Sequence, residues 1–168
     1  MVTLYNVVSE DGYIARTDGS EDFIPDELWE ETLRVYKQFD TLVMGRRTYE
    51  VVQTYPPELT EPLQALGLRM IVVTRDTDFV LPAGYEVVNT PEEAVTLGTD
   101  VLVCTGPTLN NYLLENGLVQ QVIHHQVAVT LGEGIPVFDD AYRARLVLES
   151  ESDLEFAREL IYRVAGDS

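Results

Sequence analysis

Residues 41–51 read TLVMGRRTYEV. Leu42, Val43 and Met44 make a short apolar run, which predicts a buried strand. The strand meets Gly45, and RRTYEVV then reads as a short helix that starts at once. A strand running directly into a helix is the unit of an α/β sheet. The two adjacent arginines need a separate reason, because the chain is poor in positive charge. It has 11 Lys plus Arg against 29 Asp plus Glu in 168 residues. Lys37 is the single lysine and the other ten positives are arginines.

Outward from this unit the alternation continues. Residues 2–8 (VTLYNVV), 69–75, 85–89, 100–106 and 118–129 read as further strands. Residues 25–39 read as a helix with Pro25 in its first position and an apolar stripe of Leu28, Thr32, Leu33, Tyr36 and Phe39. Glu30 and Arg34 are spaced to pair on its surface. Residues 90–98 read as a helix capped by Thr90, with Pro91 first and Glu93 third. Residues 107–117 read as a helix ended by glycine. At the C-terminus, 144–152 and 154–165 read as two strands of a hairpin. The predicted class is α/β with a mixed, mostly parallel sheet and a terminal antiparallel hairpin, in one domain over 1–168.

Composition limits the partners. The formal net charge of −18 opposes nucleic acid and anionic membrane surfaces, which are bound by clustered Lys and Arg. No apolar run approaches the ~20 residues of a membrane helix. The N-terminus lacks the pattern of a signal peptide. One cysteine, Cys104, rules out an internal disulfide, and a cytoplasmic setting is expected. His124 and His125, neighbours on a strand, point to opposite faces and make no easy metal pair, so no metal site is expected.

Three strand-to-helix junctions carry candidate chemistry: MGRRTYE, VVTRDT and CTGPTL. Ligands of open α/β sheets bind at the carboxyl ends of the strands, and helix N-termini there favour phosphate. Arg46, Arg47 and Thr48 lie at the first junction and Thr74 and Arg75 at the second. Gly106 at the third lets a ligand approach the backbone. Arg47 and Arg75 suit a ribose phosphate clamp. Neither G-x-G-x-x-G nor a P-loop is present.

The blocks NVVSEDGYIA, DTLVMGRRTYE, TGPTLNNYLLENGLV and TLGEGIPVF, in that order, resemble the dihydrofolate reductase-like superfamily. More closely, they resemble the group of the reductase domain of the riboflavin-biosynthesis deaminase-reductase. The resemblance implies a three-layer fold, NADPH as cofactor, hydride transfer to a pyrimidine- or pterin-like small molecule, and a homodimer. It implies cofactor contacts from Val7, Val8, Gly45, Arg46, Arg47, Thr48, Thr74, Arg75, Gly106, Pro107, Thr108 and Leu109. It implies substrate contacts near Asn6, Asp11, Ile14, Trp29 and Gly134, and Glu27 as proton donor. Dihydrofolate reductase itself, or a non-catalytic nucleotide-binding dimer, are the alternative readings. Many riboflavin-pathway members carry an acid before GPTL, where this chain has Cys104 and Thr105. No zinc-deaminase motif is present.

The acidic surplus fits a halophilic protein that works at high ionic strength, where salt screens self-repulsion; an ordinary acidic protein is the alternative. On the first reading molar KCl raises the melting temperature. A melting curve that does not move between low salt and molar KCl rejects it.

Overall fold

Strands that are apolar on both faces need cover on both sides. The computed structural model describes residues 1–166. Residues 167 and 168, the end of the expected 1–168 domain, lie outside the described residues. An eight-stranded sheet runs in the order β5 (Tyr85–Val88), β4 (Arg69–Val73), β3 (Thr41–Gly45), β6 (Val101–Val103), β1 (Val2–Val8), β7 (Gln121–Gln126), β10 (Arg158–Val164), β9 (Leu146–Asp153). The first six strands are parallel to their neighbours. β10 joins β7 and β9 antiparallel, so the mixed sheet and the terminal hairpin both form.

Helices cover both faces. α1 (Leu28–Tyr36), α2 (Arg46–Val52) and α3 (Pro57–Ala65) pack on one side with Tyr5, Leu42, Met44, Val72 and Leu102. α4 (Pro91–Val95) and α5 (Pro107–Glu115) pack on the other with Leu4, Val8, Val43, Ile71 and Val103. Leu4, Leu42, Ile71 and Leu102 are all but inaccessible. Each stabilises the fold by roughly 1.5–3 kcal/mol through burial. Among the described residues no helix is long and apolar enough to cross a membrane.

Several elements differ from their sequence reading. The helix expected at 25–39 is α1 alone. Pro25 and Asp26 form a preceding turn whose carbonyls accept from Leu28 and Trp29, and Gln38 and Phe39 close tight turns behind it. Arg34 pairs with Glu31 at 2.7 Å, not with Glu30. The strands expected at 69–75, 85–89, 100–106 and 118–129 are shorter, because their flanking residues serve the turns. The sequence reading missed α3, and it missed a small antiparallel pair of β2 (Tyr13–Ala15) with β8 (Ile135–Pro136). The Thr90 cap is present, its hydroxyl accepting from Glu93 N.

The two histidines do face opposite sides. His124 stacks on Phe138, with ring centroids 5.8 Å apart. His125 joins a buried chain on the α1 side, with Tyr5 at 2.8 Å and Glu159 at 2.9 Å; Tyr5 also meets Thr32 at 2.7 Å. Burial pushes His124 down to about 3, helped by Arg143. Burial also pushes His125 down, against the opposing pull of Glu159. An unfolded histidine titrates near ~6.5. Below that pH the unfolded chain binds protons that the folded chain refuses, so this stability is full above ~6.5 and falls as pH drops. Urea denaturation at pH 7.5 and pH 5.5 is expected to show His124→Leu losing about 1.4 kcal/mol less than the parent across that window. Identical losses would mean that His124 takes up its proton as readily in the folded chain as in the unfolded one.

Candidate functional site

The six parallel strands end at one edge of the sheet, and the three candidate junctions meet there. Thr105, just beyond β6, ties them together. Its hydroxyl accepts from Gly45 N at 3.2 Å, at the end of β3. Its carbonyl accepts from Asn6 Nδ2 at 2.8 Å, on β1, and from Asn110 Nδ2 at 3.3 Å, in α5. Asn110 also reaches Val137 O at 2.9 Å. A side chain at Gly45 would press on the Thr105 hydroxyl at 2.9 Å, so the junction needs glycine there. Beside it, Gly106 caps α5 with open space where a side chain would stand.

The neighbouring arginines divide. Arg46 Nε meets Glu50 at 3.1 Å and Nη1 meets Asp76 at 3.2 Å, while its guanidinium lies 4.3 Å from the centre of the Phe79 ring. It links α2 to the turn after β4. Arg47 and Arg75 are exposed and form no ion pair among the described residues. Thr74 shapes the second junction: its hydroxyl accepts from Asp76 N and its carbonyl from Asn89. Thr48 lies in the first turn of α2, and Pro107, Thr108 and Leu109 open α5. Leu109 packs against the core. Gly45, Arg47, Thr48, Thr74, Arg75 and Gly106 are thus at one edge.

Other expected residues are placed differently. Val7 is half-buried on the α1 side, but Val8 is buried in the core with α4 and α5 and offers no side-chain surface. Asn6 is buried with its amide spent on Thr105 and Asn110, so it is part of the scaffold. Trp29 donates to Leu59 O at 3.0 Å and meets Tyr36 and Tyr55 edge-on, which fastens α1 to α3. Ile14 packs against the core. Asp11 and Gly134 line an open cleft of ≈ 470 Å³ with Tyr13, Phe138 and Arg143. The Asp11 carboxylate accepts from Ser9, Leu131 and Gly132. Burial works against its charge, but these bonds hold its carboxyl below the usual range. A side chain at Gly134 would collide with Ala15 O, so this glycine lets β2 and β8 close.

Glu27 is the N-cap residue of α1; it is exposed and makes no capping bond. Another carboxyl on the α1 side, besides Glu159 and Glu31, is Glu21, on the loop between β2 and α1. It is close enough to Cys104 and Tyr55 to raise both electrostatically. Its side chain stays accessible, yet crowding by the chain pushes its own carboxyl up. The sequence carries no helical or strand signal at Glu21 that would single it out. Cys104 accepts from Tyr36 OH at 3.5 Å.

No family model matches the chain. It is 31% identical over 147 residues to the uncharacterized protein YwjB of Bacillus subtilis, covering 82% of each chain. Its fold is similar to that of dihydrofolate reductase from Enterococcus faecalis, solved with NADP(H), at TM-score 0.70 and 18% identity over 99% of this chain and 97% of that one. A Shewanella sp. PV-4 protein ascribed to riboflavin biosynthesis matches at TM-score 0.71 and 19% identity, over 98% and 99%. A Thermotoga maritima deaminase/5-amino-6-(5-phosphoribosylamino)uracil reductase matches at TM-score 0.73 and 17% identity. The present chain spans 56% of that protein.

Burial first, and then the Glu21 charge, push the Cys104 thiol up to about 11, with the Tyr36 bond opposing. At pH 8 about one thiol in a thousand is then ionised. Iodoacetamide is expected to label the folded protein far more slowly than the same chain in guanidinium. Equal rates would show a thiolate exposed at the strand edge.

Proposed function

This chain belongs to the family of YwjB and has a dihydrofolate reductase-like fold, and from that premise we propose that it is an NADPH-dependent reductase of a pyrimidine- or pterin-like small molecule. One observation carries the reading. Arg47 and Arg75 stand without ion-pair partners at one edge of an acidic chain that pairs most of its other arginines. Exposed arginines are well solvated and favoured in a chain of net charge −18, so the two left uncommitted at this edge are available to a phosphate.

The residues present fit such a cofactor. Gly106 leaves open space beside the N-terminus of α5, and the first turns of α2 and α5 offer free N–H groups to a diphosphate. Arg47 and Arg75 would take the ribose phosphate bidentately. The hydride that a C=N carbon accepts comes from NADPH when it is bound. Val7 and Cys104, both half-buried on the α1 side, would be the apolar groups beside a flat ring. A proton must reach the ring nitrogen as the carbon is reduced, and a carboxyl with a raised hold on its proton suits that task. Glu21, whose carboxyl crowding pushes up, is our candidate; like Glu27 it is exposed.

Calorimetry with NADPH and NADH, in low salt and in molar KCl, tests the reading. NADPH-selective binding is expected. Arg75→Gln should weaken NADPH by about 2 kcal/mol, roughly thirtyfold, and leave NADH nearly unchanged. Equal losses for both would contradict the phosphate assignment. Binding of neither cofactor in any salt would mean that the fold serves another purpose.

A further inference from the structure

We propose that the side-chain oxygen of Asn110 is a cofactor-binding group, which faces the nicotinamide end of NADPH and steadies the positive charge that the ring acquires as its hydride leaves. The inference rests on the NADPH reading above. It starts from an unpaired atom. Asn110 is fully buried, yet its Oδ1 has no donor among the described residues. Buried amide oxygens are nearly always hydrogen-bonded, so this one points to a partner from outside the chain. The orientation of the amide is fixed by its neighbours. Nδ2 stands 2.9 Å from Val137 O, 3.3 Å from Thr105 O and 3.3 Å from Asn6 Oδ1, which are all acceptors. Asn6 has no N–H to offer in exchange, because its Nδ2 donates to Thr105 O at 2.8 Å. Turning the Asn110 amide over would set oxygen against oxygen. Oδ1 shares its carbon with Nδ2, so it lies in the same junction of β1, β6 and α5.

That junction is the one a cofactor ring would meet. Asn6 and Thr105, which Asn110 contacts, are the chain neighbours of Val7 and Cys104, the apolar groups placed beside a flat ring. Asn110 stands one helical turn beyond Gly106, and its N–H donates to Gly106 O at 3.1 Å. Helical side chains lean toward the N-terminus of their helix, so this amide leans toward the strand ends. Gly106 leaves room there, since a side chain at that position would meet nothing within 4 Å. Hydride transfer carries both electrons of a C–H bond to the substrate carbon and leaves the nicotinamide ring cationic. The proton for the substrate nitrogen comes from a carboxyl, as above. A fixed carbonyl oxygen beside the ring stabilises that charge as it develops and needs no reorganisation at that moment. It has little to offer the neutral, reduced ring. Asn110 thereby favours the oxidised form of the cofactor over the reduced one.

Calorimetry with NADP+ and NADPH, on the parent and on Asn110→Leu, tests this without a substrate. The variant is expected to bind NADP+ roughly tenfold more weakly and NADPH within about twofold of the parent. Equal losses for the two forms would show that Asn110 acts only by holding Thr105 and Val137, and the proposal fails. No loss for either form sinks it as well. Leucine also removes the Nδ2 donor and can loosen the junction, so a second measurement uses the parent alone. The side-chain carbonyl carbon of Asn110, followed by NMR in asparagine-labelled protein, is expected to shift on binding NADP+ and to shift less on binding NADPH. A resonance that moves with neither form, or equally with both, overturns the proposal. Parent protein that binds neither form overturns the NADPH reading itself, and this inference falls with it.

Discussion

The carbonyl and hydroxyl of Thr105 hold the working edge of this sheet together. A buried carbonyl must find a donor, and here two side-chain amides from different elements supply it. Asn6 comes from the central strand β1 and Asn110 from α5, so their convergence sets how helix and strand meet. The hydroxyl accepts from Gly45 N and fixes the end of β3 against the end of β6. Two glycines flank this knot for different reasons. Gly45 has no room for a side chain, and Gly106 has room that the protein leaves empty. The candidate site is built on the second of these and cannot form without the first.

Charge is the second constraint. With so few positive side chains, most arginines serve carboxylates on their own surface. Arg69 pairs with Glu86, Arg143 with Asp140, and Arg158 with Glu151 and Asp153. Exposed pairs of this kind contribute about 0–1 kcal/mol each, so their main effect is to thin the local negative field. Against that background the adjacent arginines after β3 have separate tasks. Arg46 pairs at the surface with Glu50 and Asp76, linking α2 to the turn after β4. Arg47, one residue on around the helix, is left over. Adjacent positions on a helix point about 100° apart, which is why neighbours of the same type can end in different employment.

Much of the fold was legible because apolar runs alternate with capped helices. Thr90, Pro91 and Glu93 announce α4, and Leu42 to Met44 announce β3. Other elements were hidden by their chemistry. α3 is capped by Pro56 and carries prolines at 57 and 62, which read as a loop, and Pro62 sits inside it without an N–H to give. β2 and β8 are three and two residues long, too short for alternation to show. The site was legible where it depends on backbone, at the strand ends and glycines. It was illegible where it depends on a side chain's partner. Nothing in the spelling of Asn6 says that its amide is consumed by Thr105, nor does Arg46 declare its bond to Asp76.

The proton donor shows the same limit. The resemblance implies Glu27, in IPDEL, although an acid in the first turn of a helix also serves simply to complement the dipole. The turn at Pro25 shifts the helix start to Leu28, and Glu27 becomes an exposed cap. Meanwhile position 104, where many riboflavin-pathway relatives carry an acid, holds a thiol. Glu21 reaches that neighbourhood from the loop instead. A carboxylate on a strand end is fixed by the sheet, whereas one on a loop moves with whatever orders the loop. Arg16 and Asp22 pair at 2.5 Å beside it, and the Arg16 N–H bonds Ser20 O at 2.8 Å. These contacts give the loop a closed shape before any ligand arrives. The Glu21 carboxyl therefore does not belong to the sheet, and its position depends on a surface ion pair that salt weakens.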